Sequence, residues 1–189
     1  MASVYDVGVF IQQKLGDVSE YKLQKLTYYA QAWSLAWDGE PLFHQSIKAW
    51  VDGPVSPELW HRNVPGNADN LRPEEVETIN AVLDFYGMFS PHQLIELSHR
   101  EAPWIRARRG LATNEKGRQP ITQDAMLAYY GPMAESGRKR IPDAVRRGVN
   151  YLLSIPEGRL DDLVELDDVD GKDLLDWLES DGSDPWEEQ

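Results

Sequence analysis

Ser19-Glu20-Tyr21-Lys22-Leu23-Gln24-Lys25-Leu26-Thr27-Tyr28-Tyr29-Ala30-Gln31-Ala32-Trp33-Ser34-Leu35-Ala36-Trp37-Asp38-Gly39 is the stretch that decides the fold. Leu23, Leu26, Ala30, Trp33 and Trp37 recur at the three- and four-residue spacing of one helix face. Ser19 brings a hydroxyl that can cap the first turn, and Gly39 stands where a left-handed residue closes the last. The spacing predicts one long helix. Tyr28 and Gln31 fall off its apolar stripe, and an exposed aromatic beside a polar group suits a contact point for a partner.

Upstream, Asp6 can cap a shorter helix carrying Val7, Phe10, Ile11 and Leu15, which Gly16-Asp17 ends. Downstream the texture changes. Ile47-Lys48-Ala49-Trp50-Val51-Asp52 alternates as a half-buried strand does, and Gly53-Pro54 stops it. A small hairpin with Pro41-Leu42-Phe43 is the pairing this suggests. Ser56-Pro57 and Ser90-Pro91 each place a capping hydroxyl before a proline suited to the first helical position. A polar loop at 64–70 lies between them, followed by a helix over 73–86 with Val76, Ile79, Leu83 and Tyr86 inward. A basic stretch over 106–118 reads as a loop. Thr122 can cap a helix bearing Met126, Leu127 and Tyr130, and a last helix over 142–155 turns Val145, Val149 and Leu152 inward. The expected architecture is mainly α: one helical domain at 1–155 with at most a short strand or hairpin at 41–55.

The net charge of -13 is unevenly distributed. Residues 156–189 hold 14 acidic and two basic residues, whereas 1–155 hold 18 acidic and 17 basic. The body is nearly neutral and the acidity belongs to a tail. Leu174, Leu175, Trp177 and Leu178 sit among its carboxylates, an acidic–hydrophobic alternation that suits a flexible segment able to fold against a partner. Seven tryptophans and eight tyrosines are enough aromatic bulk for a sizeable core. The absence of cysteine excludes disulfides, Cys-ligated zinc and a thiol nucleophile, and fits a reducing cytoplasm. No basic-then-apolar leader opens the chain, and no apolar run approaches the ~20 residues of a membrane span.

Catalytic signatures are missing: there is no Gly-rich phosphate loop, G-x-S-x-G elbow or H-E-x-x-H pair. His44, His61, His92 and His99 are not spaced as a metal set, and the His92/Glu96 spacing is more often a surface hydrogen-bonding pair than a ligand pair. Neither enzyme activity, metal nor cofactor is expected. Two basic groups, Arg100 to Arg118 and Arg138 to Arg147, can contact phosphates, sit in solvent, or be masked by the tethered acidic tail. Direct nucleic-acid binding is the less favoured of these readings.

The order of several motifs resembles one known family. Lys22 to Trp33 is similar to the opening helix of the Panacea domain, a family first met as phage-associated proteins of unknown function. Pro41-Leu42-Phe43 and Ile47 to Val55 resemble its next block, which ends on Gly-Pro-Val. Leu97-Ser98-His99-Arg100-Glu101-Ala102-Pro103-Trp104 resembles its later signature, with Ser-His where Thr-His is commoner. Ile121-Thr122 and Tyr129-Tyr130 close the similarity, which spans about residues 5 to 131 and leaves out the tail.

The resemblance implies a mostly helical fold and an antitoxin that neutralises a cognate toxin, encoded by a neighbouring gene, through direct protein contact. Trp50, Gly53, Pro54, His99, Glu101 and Trp104, with Tyr28 and Gln31, are the expected contact residues, and Leu174, Leu175, Trp177 and Leu178 the expected tail contacts. Gly-Pro turns also shape backbones, and His99, Glu101 and Trp104 can equally lock a helix end to the core. Two other roles stay open: an adaptor that delivers a bound partner to a protease or chaperone, and a nucleic-acid-binding regulator masked by its tail.

Overall fold

The computed structural model describes residues 2–62 and 64–154. Its axis is α2, Glu20–Asp38, capped by the Ser19 hydroxyl and closed by Gly39 at φ 69°. Removing such a cap costs about 1 kcal/mol. Thirteen of the helix's 19 residues are buried, on every face. Neighbours explain this: α1 (Val4–Leu15), α4 (Pro73–Tyr86), α5 (Pro91–His99), α7 (Gln123–Tyr130) and the sheet all pack against it. Around this axis, α3 (Pro57–His61) and α6 (Ala102–Ala107) are short connectors, and α8 (Asp143–Ser154) lies on α5. Single 3₁₀ turns occupy Ala68–Asn70 and Gly131–Met133.

The architecture is therefore mainly α, with a three-stranded antiparallel sheet ordered β2-β1-β3. In it β1 is Ile47–Trp50, β2 Gly53–Val55 and β3 Pro120–Ile121. Lys48 pairs with Val55, Trp50 with Gly53, and Ile47 with Ile121. One apolar core joins Val7, Ile11, Leu23, Leu26, Trp33, Phe43, Ile79, Val82, Leu94, Met126 and Ile141, each contributing about 1.5–3 kcal/mol on full burial.

Three local expectations change. The cap of α1 is Ser3, and Asp6 closes a capping box by accepting from the Ser3 amide at 2.8 Å. Pro41-Leu42-Phe43 forms no strand, because the Gln31 side chain takes the amides of Leu42 and Phe43 at 2.9 and 3.3 Å. The partner of β1 is instead the Gly-Pro-Val segment that the sequence reading placed at its end. The 106–118 stretch starts as helix, since α6 runs to Ala107.

Candidate functional site

Gly53 brings the β1–β2 hairpin onto α2 and α5. Its φ is +91°, and a β-carbon there would lie 2.5 Å from Ser98 Oγ and 2.6 Å from Lys25 Cε. Beneath the turn, Lys25 is fully buried and its Nζ donates to the Pro54 carbonyl at 3.1 Å. Burial pulls the Lys25 pKa down to about 7, with the Asp52 carboxylate opposing that shift. One residue earlier on α2, Gln24 Oε1 accepts from the Ser56 amide at 2.8 Å and fixes the exit of β2.

The other flank is aromatic. The Trp104 indole N–H donates to the Trp50 carbonyl at 3.0 Å, and His99 stacks on Trp104 with ring centroids 4.0 Å apart. His99 also hydrogen-bonds to the Val51 backbone, while its Nε2 is buried with no hydrogen-bond partner among the described residues. Burial, reinforced by the Lys25 cation, lowers the His99 pKa to about 4, so the imidazole is neutral near pH 7. Trp50, Gly53, Pro54, His99 and Trp104 are thus gathered around one hairpin.

The outer face of that hairpin is half-exposed. Trp50 and Trp60 lie 5.6 Å apart, and Trp60 meets Tyr21 edge-on at 5.6 Å, making an aromatic row from strand to helix start. Tyr21 is 41% exposed. Beside Trp50 a cavity of about 540 Å³ is lined by Lys48, Pro57, Lys116 and Arg118 among others. Its far wall is the loop after α6, held by Arg108. That buried guanidinium donates to the Ala49, Ala112, Thr113 and Glu115 carbonyls at 2.9 to 3.2 Å. Gly117 lies against Ala49, where a β-carbon would sit 2.2 Å from the carbonyl oxygen.

Tyr28, Gln31 and Glu101 belong elsewhere. Tyr28 and Gln31 are each 1% exposed, so they present nothing to a partner in this conformation. Helix α2 has core on all sides, and its polar groups are satisfied inside: Gln31 Nε2 donates to the Phe43 carbonyl at 3.0 Å. Tyr28, Tyr29 and Tyr130 donate to the buried Glu101 carboxyl group at 3.4, 3.1 and 2.7 Å. Burial raises the Glu101 pKa to about 8 against those three hydrogen bonds. The cluster holds α2, α6 and α7 together. With its oxygens buried among tyrosines, it is placed to fix those helices rather than to meet a substrate.

Lys25, Ser98, Arg108 and Trp60 were not among the expected contact residues: Lys25 and Ser98 stood in the motif stretches with no role assigned, and Arg108 was read only as one of a basic group. Trp60 left the signal of an aromatic beside the Ser56-Pro57 cap. Among the described residues, no group of three or more His, Cys, Asp or Glu side chains is placed to hold a metal. Of the basic residues, Arg108 is buried, Lys139 pairs with Asp38 at 2.8 Å, Arg140 pairs with Asp143, and Arg146 lies over Phe85. Internal partners of this kind weaken the case for a phosphate-binding surface. Leu174, Leu175, Trp177 and Leu178 lie outside the described residues, and no described helix is long and apolar enough to cross a membrane.

No curated protein and no solved structure matches the chain. The family described as Antitoxin SocA-like, Panacea domain, matches residues 23–105, from the first buried leucine of α2 to Ile105 in α6. Tyr130 lies beyond that span although its hydroxyl completes the Glu101 cluster. The hairpin, Lys25 beneath it and the His99–Trp104 stack all fall within it, so the stretch that frames the hairpin is similar to the antitoxin SocA-like Panacea domain.

Proposed function

We propose that this protein is a cytoplasmic antitoxin that neutralises a toxin by direct contact, acting as a binding protein and catalysing no reaction. The observation that carries this reading is the match to the SocA-like Panacea domain over residues 23–105. The arrangement of side chains supports it. A half-exposed aromatic row, Tyr21, Trp60 and Trp50, rests on a hairpin fixed from below by Lys25 and from the side by Trp104. Aromatic groups on a rigid support bury area with little loss of conformational freedom, the usual property of interface hot spots. Trp50, Gly53, Pro54, His99 and Trp104 act in this reading as the frame and Trp60 and Tyr21 as its outer contacts. Glu101, a buried titratable group, is sealed among tyrosines, consistent with a role in holding the fold.

The test pairs co-purification with growth. The product of the neighbouring gene is expressed alone and together with this protein, which carries an affinity tag. Arrested growth that co-expression rescues, with a stable complex on the resin, is the expected result. A harmless neighbour, or rescue with no complex under any salt condition, overturns neutralisation by contact.

A further inference from the structure

We infer that the acidic segment 157–189 docks in cis in the cavity between β1 and the 116–118 loop, covering the Trp50 end of the aromatic row. Three observations carry this. The first is the chemistry of the cavity. Its lining joins the apolar Trp50, Val51 and Pro57 to three cations, Lys48, Lys116 and Arg118, against one carboxylate, Asp52. None of those three cations forms an ion pair among the described residues, and Arg108 fixes the loop that presents two of them. Segment 157–189 has the complementary composition, 14 carboxylates and two basic residues with Leu174, Leu175, Trp177 and Leu178 between them.

The second observation is where the described chain ends. Ser154 terminates α8, and the Leu152 carbonyl accepts from Arg100 Nη1. Arg100 follows His99, which stacks on Trp104, whose indole in turn donates to the Trp50 carbonyl. The last described helix thus ends a few side-chain contacts from the cavity. The third is reach. Residues 155–189 can extend on the order of 100 Å at ~3.3 Å per residue, so span imposes no constraint. A tether of this kind supplies the segment at an effective concentration of order millimolar, enough to hold a weak contact closed. A second copy of the chain is a poorer occupant, since its acidity lies in the same segment and lacks that tether. A partner that uses Trp50 must displace the segment first, which makes its capture slower at low salt.

The experiment uses the full chain. With no native cysteine, Ser183→Cys gives a unique position for a nitroxide label. Paramagnetic broadening is then read on the amide signals of residues 48–50 and 116–118 and on the Trp50 indole. The expected result is at least a twofold loss of intensity there relative to the amides of α7. Raising the salt to about 1 M, where screening shrinks to ~3 Å, should reverse it. A labelled Lys116→Glu/Arg118→Glu protein, altered only at exposed side chains, should show no such loss. Even broadening over the whole body overturns the proposal. So does broadening that appears when unlabelled-nitrogen spin-labelled chains are mixed with unlabelled-spin ¹⁵N chains, because the contact would then lie between molecules. Salt-independent broadening sinks the electrostatic account with it.

Discussion

A carboxyl group ringed by tyrosine hydroxyls can be satisfied in either protonation state, and at Glu101 burial decides between them. Three hydroxyls favour the charged form, yet loss of water outweighs them and the pKa rises to about 8. The native protein therefore holds a proton that the unfolded chain releases near pH 4.3, and this part of the stability falls as pH climbs from there to about 8. Glu101→Gln keeps the shape and removes the titration. Relative to the variant, the wild type should lose up to about 1.4 kcal/mol per pH unit inside that window, read from urea midpoints at pH 5 and 8. Parallel profiles would mean that Glu101 is ionised in the fold. Lys25 runs the other way. Its pKa falls to about 7, so the unfolded chain binds the extra proton and stability rises as pH increases from about 7 toward 10.4. Lys25→Met should abolish that rise while leaving the acid side unchanged, in the same assay at pH 6.5 and 9.5. Lys25 was not legible as buried, because lysine is rarely buried at all. For Glu101 the sequence left open the lock between a helix end and the core that its buried hydrogen bonds now show. What hides them is partner chemistry contributed by Pro54, Tyr29 and Tyr130, each distant in sequence.

Between elements, contacts are set by backbone approach as much as by side chains. The hairpin closes onto α2 and α5 because Gly53 has no β-carbon and accepts φ +91°. Gly53→Ala meets strain in the left-handed region and a clash with Ser98 and Lys25, and should cost about 2–4 kcal/mol. The companion Gly53→Ala/Ser98→Gly relieves only part of it, since Lys25 and the dihedral remain; full recovery in thermal melts would show that φ is not limiting. Arg108 makes the same point for the 111–118 loop. Replacing it by Met removes donors from four backbone carbonyls, and amide exchange across 111–119 should accelerate at least tenfold while α7 keeps its protection. Arg108→Lys should not rescue, because one ammonium cannot replace a planar fork. The helices themselves were readable: Ser19, Ser56, Ser90 and Thr122 each cap the helix their position suggests. The cap of α1 was misplaced by three residues because Ser3 and Asp6 bond reciprocally, and sequence alone does not say which is first. The pairing of β1 was misread for a stronger reason. Gly-Pro reads as a terminator, yet here it is the start of β2, and the segment expected as its partner is held by Gln31.

For the whole molecule, the division that matters is between the polar groups α2 turns inward and the aromatic row left at its start. The expected contact residues were half legible in these terms. Trp50, Gly53, Pro54, His99 and Trp104 come together because the hairpin and the α5–α6 junction meet on one side of α2. Tyr28 and Gln31 do not join them, since periodicity assigns an outward face to a helix whose residues 23–35 are buried all round. This separates two classes of variant that a growth assay alone would confuse. Changes at Tyr28, Gln31 or Glu101 should abolish toxin capture only by unfolding the protein, with capture and thermal stability falling together. Trp60→Ala and Tyr21→Ala should instead weaken capture of the co-expressed toxin at least tenfold at a stability cost of about 1 kcal/mol, as expected for half-exposed hot-spot aromatics. Leu127→Glu, on α7 and as exposed as Tyr21, is the control that should change neither. Affinity measured beside melting temperature for these three proteins decides the matter: equal affinities for Trp60→Ala, Tyr21→Ala and Leu127→Glu would remove the aromatic row from the interface, and would send the search for the toxin's contact to a face that the hairpin does not frame.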